Sequence, residues 1–312
     1  MRTTLYWMQA GGCGGDSMSL LSSECPDLVE ACERMNIHLL RHPSFTAESA
    51  AEQRRMLEAL IEGDHPLDFL CLEGGIVRGP RGTGLYDRWG DQPKKDLFQA
   101  LARRARYVLA VGTCASFGGI GADHEIDACG AQFHRDQKGG FLGLDYVASS
   151  GYPVINLPGC PCHNEVLLGT LAMLISGQTV SLNALNAPTA WYDILVHQGC
   201  TRNEYHEYRV EDARFGERGC LFFHLGCHGP LAYGPCNKLL WNRRSSKTRV
   251  GVPCFGCTRP DFPQPYPFFQ TRNIEGIPLQ LPDGVDRAHY LAYKGMAAAA
   301  APVRLTQRKN RV

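Results

Sequence analysis

The sequence predicts an α/β fold: a doubly wound parallel-sheet domain over residues 1–180, followed by an irregular, cysteine-rich domain over 181–312. Three observations predict it. Strand-like apolar runs alternate with helical patterns through the first half of the chain. Gly-rich loops follow most of those strands. After about residue 180 the periodicity fades, while prolines, glycines and cysteines crowd together.

The strand-like runs are LYWM (5–8), IHLL (37–40), DFLCL (68–72), YVLAV (107–111) and YPVINL (152–157). Between several of them lie helical patterns: CPDLVEACERM (25–35), SAAEQRRMLEALIEG (49–63) and KKDLFQALARRA (94–105). Such alternation argues for a parallel sheet covered on both faces. The loops QAGGCGG, LEGGIVRGPRG and VGTCASFGGIG follow strands, and ligand sites in doubly wound folds collect just beyond the carboxyl ends of strands. The domain boundary falls near 176–190, where a helix ending at Ser176–Gly177 gives way to QTVSLNALNAP. The part beyond it lacks the runs needed for a large core and is expected to depend on bound metal for its fold. The last residues, AAAAAPVRLTQRKNRV, read as a basic tail, flexible or docked on a partner.

Composition narrows the classes. A chain of 312 residues with a hydrophobic fraction of 44% can bury one large core or two ordinary ones. A net charge of +1 gives no reason to expect nucleic acid or an acidic membrane surface. The longest apolar runs, such as VLLGTLAMLI (166–175), are too short to span a bilayer. Met1 leads almost directly into the strand-like TTLYWM, and Arg2 has no second arginine beside it. The expectation is a cytoplasmic protein without a transmembrane segment, membrane-associated only through a partner. GPRGTG (79–84) lacks the Lys-Ser/Thr and following helix of a phosphate loop.

The 14 cysteines are the informative count. In a reducing compartment, cysteines clustered with glycine and proline point to zinc or iron–sulfur rather than disulfides. They fall into three groups. Cys13, Cys114 and Cys160 each stand at a strand end, and Asp16 stands where GGCGGDSM would complete a Cys-x-x-Cys. His197 and Cys200 in HQGC join Cys220 and Cys227 in CLFFHLGC. Cys236 in GPCNK joins Cys254 and Cys257 in PCFGC. Zinc wants closed four-ligand sites, whereas the third group offers three thiolates and suits an iron–sulfur cluster with one vacant corner. Flanking glycines let backbone N–H groups approach the sulfurs.

With VGTCASFGGI, INLPGCP, HxxC, GCxxxxLGCxGP, PCFGCxxPDF and the Trp241–Asn242 pair in one order, the chain resembles the small subunit of nickel–iron hydrogenases from Leu5 to about Phe262. The resemblance implies a flavodoxin-like domain holding a proximal cluster and an irregular domain holding medial and distal clusters. The NiFe(CN)2CO centre would lie on a separate large subunit. Carried over by position, Cys13, Cys114 and Cys160 match three proximal ligands, with Asp16 in the place of the fourth. His197, Cys200, Cys220 and Cys227 match the distal set, with one extra residue between the last two. Cys236, Cys254 and Cys257 match the medial set. No cysteine lies in RRSSKTRVGVP, where a fourth medial ligand arises in the family, so a [3Fe-4S] medial cluster is favoured and the others are [4Fe-4S] or [3Fe-4S]. Glu73 resembles a family glutamate near the proximal site, a proton relay or a structural hydrogen-bonding group.

The function so implied is electron transfer in a hydrogen-oxidising enzyme, from the nickel–iron centre of the large subunit through three clusters to an acceptor such as a quinone or a small redox protein. A dimer of heterodimers or larger is expected, with no catalytic residue on this subunit and no nucleic acid. A hydrogen-sensing subunit that signals to a kinase and a zinc-stabilised scaffold are the competing readings. Asp16 has two readings of its own: a ligand to iron, or an N-capping or solvated aspartate at the start of a helix. Cys25 and Cys32, seven apart on one expected helix face, and Cys71 inside a strand read as structural thiols. Cys162 reads as packing, with an alternative ligand or redox role as its competitor. Cys129 has no assignment.

Overall fold

The computed structural model describes residues 2–264 and 271–307. Its core is one five-stranded parallel sheet made of β1 (Thr3–Gln9), β2 (Ile37–Arg41), β3 (Phe69–Glu73), β4 (Tyr107–Val111) and β5 (Ile155–Leu157). The strand order is β5-β4-β3-β1-β2, with every pairing parallel. All five runs read from the sequence become these strands. FLCLE and YVLAV are buried along their whole length, as central strands covered on both faces must be. The order reverses between β1 and β3, so the loops leaving those two strands flank the switch point.

Six helices accompany the sheet: α1 (Gly15–Leu21), α2 (Leu28–Arg34), α3 (Ala50–Glu62), α4 (Lys94–Ala102), α5 (Gly112–Phe117) and α6 (Asn164–Ile175). Local chemistry fixes the ends of α3. Ser49 and Glu52 form a reciprocal capping box, and Gly63 ends the helix at φ 94°. Leu57 and Leu60 of α3 enter a core with Leu70, Leu72, Phe98, Leu101 and Val108. The helix expected from Cys25 starts only at Leu28, because Asp27 caps it by accepting from the Glu30 N–H at 2.8 Å. Cys25 is therefore exposed outside the helix and shares no helix face with the half-buried Cys32. Cys71 is fully buried in β3, as expected.

The chain divides into two compact units: Met1–Asp193 with Cys257–Pro263, and Ile194–Gly256 with Gln264–Val312. The second is mostly turns and short helices but is more regular than its sequence suggests. A 13-residue helix runs over Arg287–Ala299, capped by Asp286, and its Tyr290 packs on Phe223 with ring centroids 4.9 Å apart. Part of the expected tail is ordered: Val303–Thr306 is helical and Arg304 bonds Glu204. Residues 308–312 of that tail lie outside the described residues. Among the described residues, no helix is long and apolar enough to cross a membrane.

Candidate functional site

The GGCGGDSM loop leaves β1 and turns into α1 through Gly14, which is left-handed at φ 76°. Gly14 occupies the cap position and makes no side-chain cap bond, so Asp16 lies in the first turn and does not cap the helix. The exposed N–H groups are satisfied from β3 instead. Glu73, buried at the end of β3, accepts from Asp16 N at 3.0 Å and from Ser17 N at 2.9 Å. Its other oxygen accepts from Ser17 Oγ at 2.5 Å and Trp7 Nε1 at 3.0 Å. Four donors on one carboxylate make Glu73 the anchor of the loop that carries Cys13 and Asp16. Ser17 Oγ also lies 3.4 Å from Nε2 of the buried His42.

The Asp16 side chain turns the other way, and its Oδ1 accepts from Cys162 N at 2.7 Å, reaching the loop after β5. Gly112, just after β4, makes room for it: a Cβ there would sit 2.2 Å from Asp16 Oδ2, and the φ of 83° already favours glycine. Burial pushes the Asp16 carboxyl up to about 7; the Cys162 N–H pulls it down and the Glu73 charge adds to the rise.

The three thiols expected beside Asp16 lie within reach of its charge and of one another's. Cys114 is raised first by burial; the Ile120 N–H lowers it, and the charges of Asp16, Cys13 and Glu73 add to the rise. Burial pushes the Cys160 thiol up to about 12, reinforced by Cys257, Cys114, Asp16 and Cys13. Bare backbone borders two of the sulfurs: a Cβ on Gly15 would stand 3.2 Å from Cys13 Sγ, and one on Gly119 2.5 Å from Cys114 Sγ. Thr113 joins this set to Cys257, donating through Oγ1 to the Cys257 carbonyl and accepting from Gly159 N at 2.9 Å.

The second unit gathers the other set. Burial raises the Cys220 thiol, with the charges of Cys227 and Cys200 adding to it. Cys227 is pushed up to about 11 by burial; the N–H groups of Gly229 and Cys254 lower it, Cys200 raises it and Arg202 lowers it. The Cys254 N–H lies 3.2 Å from Cys227 Sγ, and the Arg202 N–H lies 3.4 Å from Cys200 Sγ. Burial lowers the basicity of His197, opposed by Glu207. The ring of His206 lies 4.9 Å from that of His197, and its Nδ1 lies 3.4 Å from Cys220 Sγ.

Negative donors packed in this way repel one another, which is the state a bound cationic metal centre reverses. Among the described residues, no three His, Cys, Asp or Glu side chains converge on the position of a single ion. Thiols that feel each other's charge across a wider space, with backbone N–H groups on their sulfurs, fit a multi-iron cluster better than a tetrahedral zinc site.

The structure thus brings Cys13, Asp16, Cys114 and Cys160 together, and separately Cys200, Cys220 and Cys227, with His197 reaching Cys220 through His206. Cys236 is half-buried in the second unit. Sequence reasoning missed Gly112, Arg202 and His206. The only signals were a glycine directly after a strand and a position near HQGC. Of the thiols left aside, Cys162 and Cys129 are buried with their sulfurs 3.5 Å from the His163 carbonyl and 3.8 Å from the Ile76 carbonyl.

Known proteins share this fold. Residues 192–270 match the family model for the C-terminal domain of the NiFe/NiFeSe hydrogenase small subunit, and residues 13–174 match that for the 20 Kd subunit of NADH ubiquinone oxidoreductase. The chain is 32% identical to the F420 non-reducing hydrogenase I small subunit of Methanosarcina mazei, over 99% of this chain and 85% of that one. It is 29% identical to the quinone-reactive Ni/Fe-hydrogenase small chain of Wolinella succinogenes, over 84% of this chain and 72% of that one. Among solved structures, the recombinant [NiFeSe] hydrogenase of Desulfovibrio vulgaris Hildenborough superimposes with a TM-score of 0.72 at 28% identity, covering 87% of this chain and 98% of that one.

Proposed function

This chain belongs to the small-subunit family of nickel–iron hydrogenases, and on that premise we propose that it relays electrons through three iron–sulfur clusters to an acceptor such as a quinone. It is the electron-transfer subunit of a heteromeric hydrogenase, and the hydrogen chemistry belongs to the metal centre of the large subunit. When bound, the clusters supply one-electron relays whose potentials follow ligand type, hydrogen bonds to sulfur and burial.

Cys13, Asp16, Cys114 and Cys160 are the proposed proximal ligands. Cys236, Cys254 and Cys257 are the proposed medial ligands, and His197, Cys200, Cys220 and Cys227 the distal ones. One observation carries the order of the relay. Within the Cys254–Cys257 pair, Cys257 lies close enough to Cys160 to raise its thiol, while the Cys254 N–H bonds Cys227 Sγ. Within the first unit one proposed medial ligand neighbours the proximal set, and within the second another neighbours the distal set. Three thiolates and no fourth donor in the medial set favour a three-iron cluster there.

Glu73 acts as a positioning residue. Three of its four side-chain hydrogen bonds hold the start of α1 beside Cys13 and Asp16 and the fourth fixes Trp7 of β1, which favours the structural role over a proton relay. The choice of a quinone rests on the quinone-reactive Wolinella relative. The test is hydrogen-dependent reduction by the purified heterodimer of a soluble quinone and, separately, a viologen dye. Quinone reduction at a rate comparable with the dye supports the reading. Negligible uptake with either acceptor, together with a co-purifying kinase, would replace it with a sensory role.

A further inference from the structure

We propose that the buried Arg202 guanidinium is a fixed countercharge to the cluster held by His197, Cys200, Cys220 and Cys227, and that it holds that cluster's reduction potential up. The inference rests on the distal assignment above and concerns a residue that is not itself a ligand.

Arg202 is only 8% exposed. Its Nε donates to the Thr248 carbonyl at 2.6 Å, and its Nη1 donates to the Gly219 carbonyl at 2.6 Å and to the Glu217 carbonyl. Among the described residues, these neutral carbonyls are its only side-chain partners. Asp212 shares the network but accepts the Gly219 N–H rather than the guanidinium. A buried cation whose direct hydrogen-bond partners are carbonyl dipoles costs stability unless anions lie nearby.

Two of the proposed ligands adjoin this residue's contacts. The backbone N–H of Arg202 lies 3.4 Å from Cys200 Sγ. The guanidinium fixes the carbonyls of Glu217 and Gly219, immediately before Cys220. Beside the buried Asp212 carboxylate, a cluster wrapped by thiolates is a second anion for this cation, and the attraction to it grows by one charge when the cluster takes an electron. The cation therefore favours the reduced state. In a site of low dielectric this effect is not screened as a surface charge would be.

The test is redox titration followed by paramagnetic resonance on the purified heterodimer, with iron content measured in wild type, Arg202→Gln and Arg202→Lys. The neutral variant is expected to shift the distal reduction equilibrium about tenfold toward the oxidised form, roughly 59 mV downward for a one-electron couple. Arg202→Lys should stay near wild type, and the proximal signal should be the same in all three. If Arg202→Gln loses its cluster while Arg202→Lys keeps it at the wild-type potential, the charge requirement stands. An unshifted potential in an iron-replete Arg202→Gln overturns the proposal, as does an equal shift in Arg202→Lys. Loss of the cluster from both variants alike would make Arg202 a scaffold residue and overturn it too. A wild-type protein without any distal signal would instead overturn the assignment on which the proposal stands.

Discussion

The carboxylate of Asp16 accepts the backbone N–H of Cys162 at 2.7 Å, tying the loop after β1 to the loop after β5. One bond therefore links the segments that carry Cys13 and Cys160, and it fixes where the second Asp16 oxygen lies. On the proposed assignment the carboxylate takes the fourth place of a set otherwise made of thiols, where a hard oxygen donor would change both the ligand strength and the hydrogen bonding of the proximal cluster.

Replacing Asp16 separates ligation from loop support. Asp16→Asn keeps an acceptor for the Cys162 N–H but is a poor ligand, so it should leave the fold intact and give a three-iron proximal signal. Asp16→Cys should retain four irons with a changed proximal potential. Paramagnetic resonance of the oxidised and reduced heterodimer reads both outcomes, and a four-iron cluster unchanged in Asp16→Asn would show that the carboxylate does not reach iron.

Gly112→Ala should reproduce the loss of Asp16 without touching it. The added methyl would meet Asp16 Oδ2 at 2.2 Å, at a φ of 83°. The left-handed backbone alone costs about 1 kcal/mol for a residue with a Cβ. Iron content should fall and the proximal signal should become that of a three-iron cluster, as in Asp16→Asn, while a wild-type spectrum would mean that the carboxylate has freedom to move.

Glu73→Gln tests anchor against proton relay. The amide can accept from at most one side, so two of the four donors lose their partner or face an N–H. Each charged hydrogen bond of this kind is worth about 1.5–3 kcal/mol. Proximal cluster occupancy and resistance to denaturation should drop, with turnover per assembled cluster little changed. Normal stability with slowed turnover would point to proton transfer instead.

The helix Arg287–Ala299 should loosen in acid. Burial pushes the Glu211 carboxyl up, but hydrogen bonds from His224, Tyr290 and Lys294 outweigh it and hold the group below the usual carboxylate range. The stabilisation is therefore present above the unfolded value of about 4.3 and is lost as pH falls through the lower folded value. Hydrogen exchange should show the wild-type helix protected at neutral pH and losing protection in that acid range. In Glu211→Gln protection should be low at every pH, by about 2 kcal/mol; equal protection in both proteins would remove Glu211 as the clamp.

The sheet was legible because each central strand is a short apolar run that needs no partner to be recognised. That Cys13, Cys114 and Cys160 gather beyond neighbouring strand ends was legible as well, since a cysteine at a strand end has little to do in a core. Relations across the sheet were not. That Glu73 turns toward the start of α1, and that Gly112 clears space for Asp16, depend on which loops the strand order brings together. The Arg287–Ala299 helix was hidden because its fixing contacts, to Glu211 and Phe223, come from segments some 60 to 80 residues earlier. Cys25 was misplaced for a local reason: Asp27 is a better N-cap than any residue before it.

The central claim is that these side chains hold three iron–sulfur clusters in series. Metal analysis joined to a paramagnetic-resonance redox titration of the purified heterodimer tests it most directly. The predicted result is a brown protein with iron and no stoichiometric zinc on this subunit, and three separately titrating signals of which the medial is a three-iron cluster. A colourless protein carrying zinc, or iron sufficient for only one cluster, would contradict it.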